Sequence, residues 1–126
     1  MKTQPRVRVE PFTTEGTRGS WTVTWRITND GDQPLRLLSA QHPHSHFRTP
    51  ETKVDQEVAP GAVAAVALPV QFSELPGERV ESPFLILVFR DSAVWRLLAR
   101  VRVTAGANGE PIAGQSVVVS TREVSR

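Results

Sequence analysis

The chain has 126 residues, of which 39% are hydrophobic and 22% are charged, and its net charge at pH 7 is +2. This length is typical of one domain that buries a hydrophobic core without covalent cross-links. The absence of cysteine excludes disulfides, thiolate metal sites and a cysteine nucleophile. Because so small an excess of positive charge attracts polyanions only weakly, nucleic acid is not the partner that we expect.

Neither a signal peptide nor a membrane helix is indicated by the sequence. Residues 1–10 contain no apolar run that could form the core of a signal peptide, and no segment approaches the roughly 20 apolar residues of a membrane-spanning helix. We therefore expect a single domain over residues 1–126, with no membrane span. Its expected location is cytoplasmic by default, and secretion stays open if a leader has been removed.

Short strands are predicted from the start of the chain, because apolar and polar residues alternate there with the period of a half-buried strand. Residues 6–12 begin as a strand, and residues 13–19 predict a turn. Residues 20–28 and 34–41 predict two further strands, and the polar residues 29–34 between them are typical of a turn. The apolar face of the second strand consists of Trp21, Val23, Trp25 and Ile27.

The middle of the chain is more irregular. Residues 42–52 are expected to lack regular structure, and a short strand is expected at residues 53–58. After a sharp turn at residues 59–61, the alternation of residues 62–72 predicts another strand, and residues 73–83 predict a loop.

The last third of the chain again reads as strands. Residues 84–89 are apolar on both faces, which is typical of a central strand or of a strand at a subunit contact. Residues 94–103 alternate, residues 105–111 predict a loop, residues 115–121 predict a last strand, and the polar residues 122–126 are expected to fray. The expected inward residues of the alternating strand are Trp95, Leu97, Ala99, Val101 and Val103. The sequence thus predicts an all-β fold, an immunoglobulin-like antiparallel β-sandwich of about 7–9 strands.

One turn pattern carries a resemblance to known domains. An Asn-x-Gly-x-x-Pro-Leu turn follows the second strand, and a Pro-Gly turn precedes a later one; the matching residues are Asn29, Gly31, Pro34, Leu35, Pro60 and Gly61. Over about residues 20–103 the chain resembles bacterial immunoglobulin-like domains of the ASH and PapD-like type. The resemblance implies a recognition or scaffolding module without catalytic activity. Gly31 is expected to adopt a left-handed turn conformation.

All three histidines, His42, His44 and His46, lie within five residues. On a strand, two histidines separated by one residue point to the same side about 7 Å apart, and both can reach one zinc or copper ion. The third would lie about 13 Å from the first unless the chain bends at Pro43 or Ser45. The candidate carboxylate ligands are Glu51, Asp55 and Glu57. The alternative is a solvated loop that happens to be rich in histidine.

A second constellation is the outward row of Arg96, Arg100 and Arg102, which Arg6 and Arg8 would join if the first and last strands were neighbours. Such a row could bind phosphates or an acidic partner. The alternative is a solvated strand face with ion pairs. The acids expected to neutralise part of it are Glu10 and Glu123.

Taken together, these patterns favour a non-catalytic protein-interaction module. Trp21, Trp25 and Trp95 are expected in the core, with carbohydrate stacking as the alternative, and neither a Gly-x-Ser-x-Gly nucleophile motif nor a phosphate-binding glycine loop occurs. The expected partner is another protein, or a second copy of this chain. The expected binding surface is a sheet edge, with residues 84–89 and 117–119 as candidate pairing segments, or the loops around residues 42–53. No cofactor is expected unless the histidines bind zinc or copper, and anion binding by the arginines is the second alternative.

Overall fold

The computed structural model describes residues 4–81, 83–115 and 117–124, and within these ranges all regular structure is β-strand. The strands are β1 (Val7–Thr17), β2 (Ser20–Asn29), β3 (Leu35–His44), β4 (Phe47–Val58), β5 (Val63–Val70), β6 (Arg79–Val80), β7 (Phe84–Arg90), β8 (Val94–Arg100), β9 (Val103–Ala105), β10 (Pro111–Ala113) and β11 (Val118–Glu123). None of the described residues belongs to a helix that is long and apolar enough to cross a membrane.

The strands form three antiparallel sheets, which confirms the predicted all-β, sandwich-like fold. Sheet A has the order β1-β2-β5, sheet B the order β11-β8-β7-β3-β4, and sheet C the order β10-β9-β6. The described strands number 11, more than expected: residues 101–102 separate β9 from β8, and β6 and β10 are short strands in segments for which no strand is predicted. β9, the central strand of sheet C, follows β8 of sheet B along the chain.

Two contacts join the sheets at their edges. At one corner, Arg48 at the start of β4 and Gln71 just after β5 exchange backbone hydrogen bonds of 3.1 and 2.8 Å. Near β10, the Thr14 hydroxyl of β1 donates to the Pro111 carbonyl at 3.0 Å. The far edge of β11 has no paired strand among the described residues. Sheet B thus has one edge partly closed by sheet A and one edge that is open.

The core lies between the inward faces of sheets A and B. The largest side chains that are almost fully buried are Trp25, Phe47, Phe89, Ile27, Leu37, Leu68, Leu85, Leu87 and Leu97. Each contributes about 1.5–3 kcal/mol of hydrophobic stabilisation relative to an exposed position. Trp21, Trp25 and Trp95 are all at most 5% exposed, so their prediction as core residues is confirmed.

The turn pattern that carries the family resemblance forms one hydrogen-bonded cluster around Asn29. The buried Asn29 amide donates to the carbonyls of Gln33 (2.8 Å) and Val58 (3.0 Å), and its side-chain oxygen accepts from the Gly31 N–H at 3.0 Å. The Asn29 carbonyl accepts from the N–H of Gly61, whose φ of 77° needs glycine. Gly31 does not have a positive φ, so its predicted left-handed conformation is wrong; its role is to approach Asn29 closely.

Several predicted boundaries differ from the structure. Residues 13–17 continue β1 instead of forming a turn, and residues 42–52, expected to be irregular, contain the end of β3 and the first half of β4. Arg122 and Glu123 pair with β8 instead of fraying. Residues 82, 116 and 125–126, which the predicted loop, last strand and tail include, lie outside the described residues.

Candidate functional site

His42 lies in the core and takes part in a chain of hydrogen bonds that joins the two large sheets. The Trp25 indole N–H of β2 donates to His42 Nε2 of β3 at 3.0 Å. Because Nε2 accepts this bond, the proton of the neutral ring is on Nδ1, which donates to Thr49 Oγ1 of β4 at 2.8 Å. The Thr49 hydroxyl donates in turn to the Pro69 carbonyl of β5 at 2.6 Å. Every polar atom of the ring is therefore satisfied by the protein.

This environment keeps His42 neutral. The residue has no exposed surface, and its burial lowers the pKa of the imidazole to about 3. The Phe47 ring lies against it, with the ring centroids 4.5 Å apart. A metal ion could bind His42 only if one of its two hydrogen bonds were broken and the core were opened.

His44 and His46 lie instead at the surface, in the tight turn between β3 and β4. The His46 backbone N–H donates to His44 Nδ1 at 3.0 Å, and the two ring centroids are 5.7 Å apart. His46 Nδ1 lies 2.7 Å from a carboxylate oxygen of Glu74. The Glu74 carboxylate thus orients the His46 ring, and the His44 ring lies beside it.

The structure does not bring the three histidines together. Among the described residues, no group of three or more histidine, aspartate or glutamate side chains is placed to hold a metal ion. Two of the candidate carboxylates have other contacts: Glu51 accepts from the Ser39 hydroxyl at 3.3 Å, and Asp55 binds Arg36 at 2.7 Å. The remaining candidate, Glu57, is exposed on β4. The acid that contacts the turn, Glu74, comes from the loop after β5 and was not foreseen.

The three arginines of the predicted row have three different environments. Arg96 lies opposite Arg122 of β11 in the strand register, and both are exposed. The Arg100 guanidinium lies 5.3 Å from the centroid of the Phe84 ring, a cation–π geometry. Arg102 follows the end of β8 and forms a 3.2 Å ion pair with Glu81.

The first strand does not extend this row. Arg6 and Arg8 were expected to join it only if the first and last strands were neighbours, and these strands are in different sheets. β1 is in sheet A, whereas β8 and β11 are in sheet B. The Arg8 guanidinium donates two hydrogen bonds, of 2.9 and 3.0 Å, to the Asp30 carboxylate. These hydrogen bonds lower the pKa of the Asp30 carboxyl. Arg8 also lies 3.8 Å from Glu10. Arg6 is exposed ahead of β1.

The central strand of sheet B has two different faces. Its inward residues Leu85, Leu87 and Phe89 are at most 1% exposed, while its outward residues, Phe84, Ile86 and Val88, remain partly exposed. Leu98 of β8 faces outward beside Ile86 and is also partly exposed. We call this set, Phe84, Ile86, Val88 and Leu98, the outer patch.

Arginines surround the outer patch. Arg96 lies opposite Val88, Arg100 lies opposite Phe84, and Arg90 ends β7. Arg122 adds a further guanidinium on the β11 side. The face therefore combines an apolar centre with a cationic rim. Glu51, Asp55 and Glu57 of sheet B are on β4, at the other edge, and Glu123 of β11 lies opposite the inward Trp95.

Arg122 is not a candidate from the sequence, because residues 122–126 are predicted to fray. The signal that could have found it is the alternation of Val118, Ser120 and Arg122, which shares the period of Arg96 and Arg100 on the preceding strand. No protein-family profile matches the chain, and no curated protein is significantly similar to it.

Proposed function

We propose that this chain is a non-catalytic protein-interaction module that binds its partner on the outer face of sheet B. The observation that carries the proposal is the outer patch. Its centre, Ile86 and Val88 on β7, is apolar and partly open to solvent on a sheet whose other face already packs on the core. Binding of another protein would remove this apolar surface from water, at about 25 cal/mol per Å² buried.

The charges around the outer patch favour a protein partner with acidic groups. Arg96 and Arg100 stand on either side of Leu98, and a guanidinium binds carboxylates through two parallel hydrogen bonds. Such a rim adds specificity and rate of association to the apolar contact. The resemblance of the Asn29 turn pattern to ASH and PapD-like domains, in which recognition and scaffolding are the usual roles, agrees with this proposal.

The metal and anion alternatives have less support from the geometry. A metal site would have to use His44 and His46 without His42, whose two ring nitrogens are occupied. A phosphate site on the predicted arginine row would lack Arg102, which is paired with Glu81.

A display selection tests the proposal. Random peptides are selected on the wild-type protein, and their affinities are then measured for Val88→Glu and for the matched variant Val63→Glu, which places the same change on β5 of sheet A, where Val63 is 57% exposed. We expect Val88→Glu to weaken binding at least about tenfold, because a buried, unpaired charge would face the partner. Val63→Glu should bind like the wild type. A selection without enriched peptides, or equal loss in both variants, would contradict the proposal.

A further inference from the structure

Two arginines oppose each other on the outer face of sheet B, and neither has an ion-pair partner within the described part of the chain. The register of β8 and β11 places Arg96 directly opposite Arg122. Like charges in this position repel and destabilise a strand pair. The ion pairs of the described residues use Arg8, Arg36 and Arg102 and include neither Arg96 nor Arg122. An anionic group bound between the two guanidinium groups would remove this repulsion.

The strand that carries Arg122 is also an open edge. No strand of the described chain pairs with the far side of β11, and its first two residues, Val118 and Val119, are 63% and 37% exposed. An unpaired edge presents backbone N–H and C=O groups to solvent, and an extended segment of another protein can add to them as a further strand. The β-branched side chains favour such pairing.

From these two features we infer that the partner of this module is an extended acidic segment that adds to β11 as a sixth strand of sheet B. The inference rests on the proposed function and names its partner class. In a paired strand, the side chains opposite Val118, Ser120 and Arg122 share the face of Arg96 and Arg100. Acidic residues at these alternate positions would meet the arginines. Apolar residues at the positions between them would pack on Val119.

A second copy of this chain is a poorer occupant of the same edge. Its β11 would bring Val118, Ser120 and Arg122 to the outer face, and with them a further guanidinium instead of an acid. Glu123 lies opposite Trp95, so it belongs to the other face of the strand. Nucleic acid could supply phosphates to Arg96 and Arg122. It has no peptide backbone, however, that could pair with the open edge of β11, and its phosphates would not bury the exposed valines.

Fluorescence anisotropy with synthetic peptides tests the inference. The probes are three labelled decapeptides that alternate valine with glutamate, lysine or glutamine, and a labelled single-stranded oligonucleotide. We expect the valine–glutamate peptide to bind most tightly. Its affinity should fall about tenfold in Arg96→Gln/Arg122→Gln, as expected for the loss of charge-assisted hydrogen bonds. The matched control, Arg18→Gln/Arg48→Gln, removes the same charge from exposed positions elsewhere and should change the affinity less than about twofold.

Hydrogen exchange locates the bound peptide. The valine–glutamate peptide should slow amide exchange in β11, and a peptide that protects no residue of β11 would overturn the inference. Equal affinity for the glutamate and glutamine peptides would overturn it and leave the proposed function standing. Binding of the oligonucleotide alone, with the same dependence on Arg96 and Arg122, would replace the inference with a nucleic-acid site and would also count against the proposed function.

Discussion

Trp21 and Trp25 lie on the same buried face of β2, yet their indole N–H groups differ. Trp25 Nε1 donates to His42, whereas Trp21 Nε1 is buried and has no hydrogen-bond partner among the residues that the structure describes. Trp25→Phe would leave His42 Nε2 buried without its donor. We expect this variant to lose about 1–3 kcal/mol more stability than Trp21→Phe. Urea unfolding of both variants measures the difference, and equal losses would show that the hydrogen bond to His42 contributes nothing.

The buried His42 also predicts how stability depends on pH. An unfolded histidine has a pKa of about 6.5, whereas burial lowers the pKa of folded His42 to about 3. As the pH falls below about 6.5, the unfolded chain binds a proton that the folded chain excludes, so the free energy of unfolding decreases by up to about 1.4 kcal/mol per pH unit. This decrease ends near the folded pKa of about 3.

His42→Gln isolates this contribution, because the carboxylates titrate in both proteins. The variant should be less stable at pH 7.5 and should show a flatter pH dependence between about pH 6 and pH 4 than the wild type. If the slopes of the two proteins coincide, His42 does not titrate as its burial requires.

The histidine turn yields a separate prediction about metal. His46 is exposed and His44 is partly exposed, whereas both ring nitrogens of the buried His42 are hydrogen-bonded, so any zinc binding should depend on His44 and His46 and not on His42. Calorimetric titration of zinc should give the same heats for wild type and His42→Gln, and smaller heats for His44→Ala. A loss of zinc binding in His42→Gln as large as that in His44→Ala would restore the three-histidine hypothesis.

At the level of elements, the Asn29 cluster fixes how β2 is connected to its neighbours. One side chain satisfies the Gln33 and Val58 carbonyls and the Gly31 N–H. Asn29→Ala should therefore cost about 2–3 kcal/mol, as several hydrogen bonds are lost and buried carbonyls are left without donors. Asn108→Ala, at an exposed loop position, should cost less than about 0.5 kcal/mol. Chemical unfolding compares the two, and a similar cost would contradict the role given to Asn29.

Alternation in the sequence predicts most of these strands but fails where prolines or polar residues interrupt it. Pro50 lies on β4, an edge strand, where a missing N–H is tolerated. Pro43 pairs with Arg48 beyond the last residue of β3 that pairs with β7. The segment after residue 42 therefore reads as a loop in the sequence although both sides of the hairpin are regular. A one-dimensional pattern does not show which strand is at an edge.

The same limit explains what could be predicted of the candidate site. The apolar residues on both faces of β7 are visible in the sequence, and so is the arginine alternation of β8. The location of His42 is not, because its partners Trp25, Thr49 and Pro69 come from three other strands. The Arg96–Arg122 pair likewise depends on the register between β8 and β11. Contacts between distant segments decide both cases.

At the scale of the whole molecule, the two large sheets have different roles, one in the core and one at the surface that we propose binds a partner. The inward faces of sheets A and B form the core, and the chain of hydrogen bonds from Trp25 through His42 and Thr49 to Pro69 connects the two sheets. The outward face of sheet B is left with the outer patch, the arginine rim and the open edge of β11. The fold thus separates the surface that stabilises it from the surface that we propose binds a partner.

Hydrogen exchange of the wild-type protein, with and without a peptide from the display selection, tests this division most directly. We expect slower exchange on binding at amides of β7, β8 and β11, and unchanged exchange at amides of β1, β2 and β5. Protection confined to sheet A, or to the turn that carries His44 and His46, would contradict it.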